Sequence, residues 1–516
     1  MMQTDISPVR SLSSLLEGIV PLPLEFERQL HGLSLDSRRV NRGDLFFACK
    51  GLTRDGRDFI DEAIGRGAAA VLAEADEQLS GDATRFEVPV IAVPELPRQM
   101  ARVAARFFAL PASQLHLIGI TGTNGKTSCC QMAAQLLEAL GRRCGVIGTL
   151  GYGLSDGALR QEAGIPGTTP DAVSLQRQLA ALLAAGADTV VMEVSSHGLA
   201  QHRVLVDDYA TAMFTNLTRD HLDLHGSMDA YGATKRQLFE GERLGLAVLN
   251  ADDGFVRATA ALLPIGVRVL TWSLHDATAD LHATELQFVR DGMRLRVATP
   301  WGEFPLQTSL LGSFNASNLL GVLALVLGEL AETSDFDPQA VFAAAAALQP
   351  VPGRMQLLPS AAPLTVVVDY AHTPDGLQKA LEAMREHCSG RLWCVFGCGG
   401  DRDRGKRPLM GAAAEAGADL LVLTNDNPRS EDPHRILADV LSGLRLPKRA
   451  RVEPDRAKAI ADAIARAAPG DALLIAGKGH EDYQETQGQR RPFSDAEEAL
   501  AALAQWQAPP SRGGRK

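Results

Sequence analysis

The sequence predicts an α/β protein of several domains built on parallel sheets, and three observations carry that expectation. The chain has 516 residues, enough for three or four domains at about 150 residues each. Short runs rich in Val, Leu and Ile alternate with longer helical patterns, the signature of βαβ units. Glycine, Asp, Asn, His and Arg cluster just after those runs, and open α/β sheets bind their ligands there, beyond the carboxyl ends of the strands.

Prolines divide the chain. Pro94 and Pro97, followed by Pro111, place one boundary near residue 110. Pro350 and Pro352 interrupt an alanine-rich helical pattern that proline cannot continue, and place another near 350. The expected domains are therefore 1–110, 111–350 and 351–516.

In the second region LIGI (117–120) runs into TGTNGKT, TVVMEV (189–194) into SSHG, and ATAMFT (210–215) into NLTRDHLDLHG. In the third, TVVVDY (365–370) runs into AHTP and LWCVF (392–396) into GCGGDRDRGKR. LLVLT (420–424) then runs into NDNPRSEDP, and ALLIA (472–476) into GKGHEDY. Each polar cluster follows an expected buried strand.

Composition excludes several classes. With 46% hydrophobic and 22% charged residues, neither a disordered chain nor a fibrous repeat fits. The 51 Lys+Arg against 62 Asp+Glu leave a net charge of −11, and the basic residues are scattered, so a nucleic-acid partner is not expected. Seven cysteines without CxxC zinc spacing point to a reduced, cytoplasmic setting. The most apolar stretch, Leu319 to Gly328, is short for a membrane span, and none is expected.

Gly119-Ile120-Thr121-Gly122-Thr123-Asn124-Gly125-Lys126-Thr127 lies between an apolar strand and the amphipathic run Ser128 to Leu140, which Gly141 would end. Glycines let backbone wrap a polyphosphate, and a helix N-terminus offers unpaired N–H groups. Lys126 neutralises charge, and the Thr127 hydroxyl suits Mg²⁺. The glycines stand at 119, 122 and 125, so the strict GxxxxGK[ST] spacing is not met. Gly397-Cys398-Gly399-Gly400 and Gly477-Lys478-Gly479 are not dinucleotide fingerprints.

Glu193 and His221 stand at strand ends suited to a metal beside a triphosphate, with Thr127 completing a hard donor set. His221 and His225 have the i, i+4 spacing of a zinc pair, but no HExxH accompanies them. Lys235, followed by an arginine, reads from pattern alone as a solvated helix face.

TGTNGKT, TTP, MEVSSHGL, FTNLTRDHLD, YGATKRQLF, FNASNLLGVLA, VPGRM, DYAHTPDGL and GGDRDRGKR, in this order, resemble the Mur ligase family of ATP-dependent amide-forming enzymes. DNPRSEDP and GKGHEDYQ resemble its members that add meso-diaminopimelate. The resemblance spans roughly residues 34 to 485. It implies a smaller N-terminal α/β domain that binds UDP, a central P-loop-type ATPase sheet and a Rossmann-like C-terminal domain that brings the amino acid. It further implies ATP and Mg²⁺ dependence, a carbamylated Lys235, the substrates UDP-N-acetylmuramoyl-L-alanyl-D-glutamate and meso-diaminopimelate, and a cytoplasmic monomer serving peptidoglycan synthesis.

Residue by residue, the resemblance assigns catalysis to Lys126, Glu193, His221 and Lys235, and metal binding to Thr127, Glu193, His221 and carbamylated Lys235. ATP falls to Gly122, Thr123, Asn124, Gly125, Lys126, Thr127 and Ser128, with Asn315, Arg354 and Asp369; a helix cap at Asn315 and a surface charge at Arg354 are the alternatives. The muramyl dipeptide nucleotide falls to Leu35, Ser37, Leu52, Thr53, Arg54, Thr168, Thr169, Ser195, Gln201 and Arg203. The diaminopimelate pocket falls to Arg402, Asp426, Asn427, Pro428, Arg429, Gly477 and Glu481, where arginine can pair a carboxylate through two N–H bonds and Glu481 can accept from an ammonium.

Overall fold

The parallel strands that the sequence predicts are present, and each runs into its polar cluster. The computed structural model describes residues 8–51, 54–75, 86–161 and 167–508. It packs as two compact units, Met1–Trp272 with Gly321–Phe336, and Ser273–Leu320 with Asp337–Lys516.

The first unit holds a short antiparallel pair, Arg10–Ser11 with Gln29–Leu30, and two larger sheets. A small parallel sheet orders Gly32–Ser34, Asp44–Ala48, Ala70–Glu74 and Val90–Val93. Leu45, Phe47, Leu72 and Val93 pack from it against Val103 and Phe107 of the helix Leu96–Phe107. The larger sheet places His116–Thr121 between Thr189–Glu193 and Tyr209–Phe214, all parallel. Cys144–Gly148 continues beyond Thr189–Glu193, and Leu246–Asn250 and Arg268–Ser273 lie beyond Tyr209–Phe214. Strand order thus reverses at His116–Thr121, and such a switch point leaves a crevice at the carboxyl end of that strand. Leu117, Val190, Met192, Phe214 and Leu249 fill one face of this sheet, each buried side chain contributing roughly 1.5–3 kcal/mol.

The helix Lys126–Ala139 follows the glycine-rich loop and ends where Gly141 takes φ +87, a left-handed conformation that costs glycine least. Asp171 caps the next helix, Ala172–Ala184, by accepting from the Val173 and Ser174 N–H groups.

In the second unit a parallel sheet orders Thr365–Asp369, Ala472–Ala476, Leu392–Phe396, Leu420–Leu423 and Arg451–Val452, with Gln356–Leu357 antiparallel at the edge. Its side chains alternate strictly. Val366, Val368, Trp393, Val395, Leu473 and Ile475 enter one core, whereas Val367, Cys394, Phe396 and Leu474 enter the other. Both faces are therefore covered, as a parallel sheet requires.

Two features depart from expectation. Leu281–Val289, Gly292–Thr299 and Gly302–Thr308 form an antiparallel meander rather than βαβ units. Its signal was the polar/apolar alternation and the Asp291-Gly292 turn, where Gly292 adopts φ +148. The apolar run 319–328 belongs to a longer helix, Ser313–Leu330, whose 18 residues are long and apolar enough to cross a membrane by length and composition; 72% of that window is buried within the protein, as in a core helix.

Candidate active site

The phosphate loop is built as its glycines dictate. Gly122 holds φ +142, and a Cβ there would sit 1.9 Å from Thr215 Oγ1, so only glycine fits the approach. Thr123 N donates to Asn216 O, Asn124 N donates to Asn216 Oδ1 at 2.9 Å, and Thr215 Oγ1 donates to Asn124 O at 2.6 Å. The loop is thereby tied to the end of the strand Tyr209–Phe214. Gly125 caps the helix at φ +86, Lys126 Nζ donates to the Gly122 and Thr123 carbonyls at 2.9 Å each, and Ser128 lies half-buried in the first turn.

Glu193, at the end of its strand, is 1% exposed. Its Oε2 accepts from Thr127 Oγ1 at 2.9 Å and Thr149 Oγ1 at 3.2 Å, and its Oε1 from Thr149 N at 2.7 Å. No ion pair reaches this carboxylate among the described residues. A buried carboxylate with hydroxyl neighbours and no counter-cation suits a hard divalent ion, so the oxygen donors of Thr127 and Glu193 fit Mg²⁺. Thr149 was not anticipated; it directly follows the strand Cys144–Gly148, the same position that the other polar clusters occupy.

Lys235 overturns the solvated-face expectation. It is 1% exposed on the helix Met228–Arg236, its Nζ donates to Gly122 O at 2.8 Å, and it lies 4.7 Å from the centre of the Tyr231 ring. Burial first, and the Lys126 charge second, push its pKa well below the ordinary lysine value.

His221 packs among aromatic rings. Its ring meets that of His197 edge-on at 4.6 Å, and His225 lies 6.2 Å from His197 and 5.1 Å from Tyr231. Burial, then the neighbouring His221, lowers the pKa of both His197 and His225. No group of three or more His, Cys, Asp or Glu is placed to share one metal ion among the described residues.

The candidate muramyl residues converge on the strand that carries Glu193. Thr169 Oγ1 donates to Glu193 O and accepts from Ser195 N, both at 2.9 Å, and Arg203 Nη1 donates to Thr169 O at 2.8 Å. Gln201 Oε1 accepts from Arg203 Nε and Nη2, and Thr168 Oγ1 lies 3.2 Å from Thr149 Oγ1. Near them, Gly148, Thr149, Tyr152, Arg160 and Gln178 line a cavity of about 210 Å³. Leu35 lines a second cavity of about 210 Å³ with Asp36, Arg39, Asn41 and Arg177. Ser37 instead gives its hydroxyl to Glu62 at 2.8 Å, and Arg54 is exposed. Leu52 and Thr53 lie outside the described residues.

The second unit holds the other candidates. Asn315 Nδ2 donates to Leu311 O, and its Oδ1 accepts from Asn318. Arg354 stacks over Tyr370 at 4.9 Å, and its Nε is buried without a partner among the described residues. Asp369 accepts from Met355 N at 2.7 Å and Ala371 N at 2.8 Å; burial raises its pKa against those bonds and the Arg354 charge.

Three adjacent strand ends bring one cluster of side chains together there. Arg429 holds φ +53 after buried Asp426, Asn427 and Pro428, and its Nη1 donates to Gly400 O at 2.7 Å. Burial raises the Asp426 pKa, against the charges of Arg456 and Lys478. Arg402 is exposed on the same loop as Gly400, with no protein partner among the described residues. Gly477 takes φ +118 so close to Asp426 that a Cβ would lie 2.6 Å from Oδ2. Glu481 Oε2 accepts from Asn427 Nδ2 at 2.7 Å. Buried Arg456 ties two of these loops together through the Asn425 and Ala476 carbonyls, paired with Asp495 at 2.6 Å.

Comparison with known proteins follows the same division. Family models match in chain order: the catalytic domain of the Mur ligase family over residues 29–108, the Mur ligase middle domain over 120–326, and the Mur ligase glutamate ligase domain over 353–479. The chain is 51% identical over 478 residues to the UDP-N-acetylmuramoyl-L-alanyl-D-glutamate–2,6-diaminopimelate ligase of Ectopseudomonas mendocina, covering 92% of this chain and 95% of that one. With the ligase of the same name from Coxiella burnetii it shares 46% over 479 residues, covering 92% and 96%. A solved structure of a ligase so named superposes with a TM-score of 0.70 at 36% identity, covering 96% of this chain and 99% of that one. The resemblance that the motifs carry thus extends along the chain in sequence and in fold, and the chain belongs to the Mur ligase family.

Proposed function

We propose that this chain is the ATP- and Mg²⁺-dependent ligase that joins meso-diaminopimelate to UDP-N-acetylmuramoyl-L-alanyl-D-glutamate, a cytoplasmic step of peptidoglycan precursor synthesis. The observation that carries it is the coexistence of a phosphate loop beside the buried Glu193 carboxylate with a cluster bearing Arg402, Arg429 and Glu481, the charges that a zwitterionic diacid needs.

In the first half-reaction a γ-carboxylate oxygen of the D-glutamyl residue attacks the γ-phosphorus of ATP. The bond to the β-phosphate bridging oxygen breaks, giving an acyl phosphate and ADP. Lys126 holds the phosphates by charge and the N–H groups at the start of the helix Lys126–Ala139 orient them, so catalysis is mainly positioning and electrostatics. Thr127 and Glu193, with His221, would hold Mg²⁺, which offsets charge between the two anions. In the second half-reaction an uncharged amine of diaminopimelate attacks the acyl carbon, and the tetrahedral intermediate expels phosphate and loses a proton to leave the amide.

Thr168, Thr169, Ser195, Gln201 and Arg203 are assigned to the muramyl peptide, and Leu35 with Ser37 and Arg54 to the uridine end. Asn315, Arg354 and Asp369 are assigned to ATP. We assign a carbamate to Lys235, because its burial favours the neutral amine that reacts with CO₂. The domain boundaries at 110 and 350 go with these assignments.

The test is ADP release by the purified chain with UDP-N-acetylmuramoyl-L-alanyl-D-glutamate and ATP, amino acids being added one at a time. Release dependent on meso-diaminopimelate, with the tripeptide product seen by mass spectrometry, is expected. Release with no amino acid that gives product would remove the assignment.

A further inference from the structure

The strand Ala472–Ala476 delivers a lysine into the amino-acid pocket, and that lysine is fully buried. Gly477 and Gly479, at φ +118 and +55, form the turn on either side of Lys478. Its Nζ lies 3.1 Å from Asn427 Oδ1 and 3.1 Å from Glu481 Oε2. Asn427 Nδ2 donates to that same Oε2 at 2.7 Å. Lys478, Asn427 and Glu481 therefore close a ring of three hydrogen bonds.

The ring has one stable sense. Asn427 Oδ1 accepts from Lys478 and also from Glu485 N at 2.9 Å, so flipping the amide would set its NH₂ against an ammonium and an N–H. Glu481 Oε2 consequently takes two donors, while Oε1 takes none from the described residues. Glutamate otherwise samples several rotamers, and two bonds to one oxygen hold it in one. Packing alone does not call for a buried ammonium, which is costly to desolvate and which an apolar side chain of similar length would replace.

We propose that Lys478 is a positioning residue for the incoming amino acid: through Asn427 and Glu481 it fixes Glu481 Oε1 as the acceptor for an ammonium group of the substrate. The proposal rests on the assignment of this pocket to the amino acid. Asn427 Oδ1 is filled by Lys478 and Glu485 N, and its Nδ2 keeps a second N–H beyond the one given to Glu481.

The test compares Lys478→Met, Lys478→Arg, Glu481→Gln and the double variant Lys478→Met/Glu481→Gln in the full chain, varying each of the three substrates in turn. Lys478→Met is expected to raise KM for meso-diaminopimelate at least about tenfold, with KM for ATP and for the nucleotide substrate within about twofold of wild type. Lys478→Arg, which keeps the cation, should recover most of that loss. The double variant should be no worse than Glu481→Gln within about twofold, because Lys478 acts through Glu481. An unchanged KM for meso-diaminopimelate in a folded Lys478→Met, a parallel rise in all three KM values, or additive losses in the double variant would overturn the proposal. A wild-type chain inactive with meso-diaminopimelate would instead remove the functional assignment and this proposal with it.

Discussion

Lys126 Nζ and Lys235 Nζ donate to one and the same carbonyl oxygen, that of Gly122, at 2.9 and 2.8 Å. One lysine opens the helix after the phosphate loop and the other comes from the buried face of a helix more than a hundred residues later. Two amines so close disfavour each other's charge, and burial places most of that cost on Lys235. The arrangement sets Lys126 at the start of the helix after the loop and shifts Lys235 toward the neutral amine.

Lys126→Ala should therefore abolish ligation, because the developing charge on the transferred phosphoryl group loses its fixed counter-charge. Loss of one such donor costs on the order of 100- to 1000-fold in turnover. Steady-state ADP release checks it, and near-normal turnover would detach Lys126 from the phosphates.

For Lys235→Ala the expected outcome is a similar collapse with a different remedy. A carbamate is a carboxylate on a lysine stem, so a small acid such as acetate or formate should restore part of the activity in the cavity that alanine leaves. Wild-type protein in ¹³C-bicarbonate should show a carbamate resonance that the variant lacks. A wild-type spectrum without it, together with no rescue, would count against the modification.

Much of the site was legible in the sequence because its signals are local. A glycine-rich loop between an apolar run and an amphipathic helix needs no distant partner to be recognised, and the strands before Glu193, Asp369 and Asp426 read as apolar runs for the same reason. What stayed illegible depends on contacts across the chain. Lys235 sits beside an arginine and reads as solvated, yet tertiary packing takes it to 1% exposure. Thr149 reaches Glu193 over 44 positions and Lys478 reaches Asn427 over 51, and no spacing rule links such pairs. The Ser37 assignment rested on a short stretch, and the structure gives its hydroxyl a protein partner, Glu62. The antiparallel strands after residue 280 did carry a local signal, alternation and Asp-Gly, within a region dominated by parallel units.

Asp208 offers a pH dependence separate from catalysis. Burial, against the Arg243 charge, pushes its pKa up to about 6, whereas in the unfolded chain it titrates near ~3.9. Between those values the folded protein holds more protons than the unfolded one, so this group's contribution to stability falls as pH rises through about 4 to 6 and stays lowered above. Asp208→Asn should remove that loss, stabilising the protein by about 1–2 kcal/mol at pH 8 after allowance for partial exposure. The gain should shrink toward pH 5. Melting temperatures of variant and wild type across that range decide it, and a gap that does not widen with pH would be the contrary result.

The last prediction is selectivity for meso-diaminopimelate over L-lysine. The two share a chain and both amines but differ by one carboxylate, and burying that group needs a cationic partner. Arg429 is the candidate: its left-handed backbone follows Pro428, its N–H donates to Glu485 O at 3.0 Å, and its Nη1 is braced by Gly400 O. A guanidinium braced at one nitrogen still has N–H groups to pair a carboxylate, and Arg402, exposed on the Gly400 loop, supplies a second. With lysine bound, Arg429 would face the pocket without its anion, so the site rejects as well as attracts. Breaking a desolvated pair of this kind costs on the order of 3–5 kcal/mol, which corresponds to discrimination of more than about a hundredfold. Arg429→Ala should accordingly raise KM for meso-diaminopimelate far more than KM for ATP and should narrow the gap between the two amino acids. Comparable wild-type kcat/KM for L-lysine and meso-diaminopimelate would end the selectivity claim while leaving amide formation itself untouched.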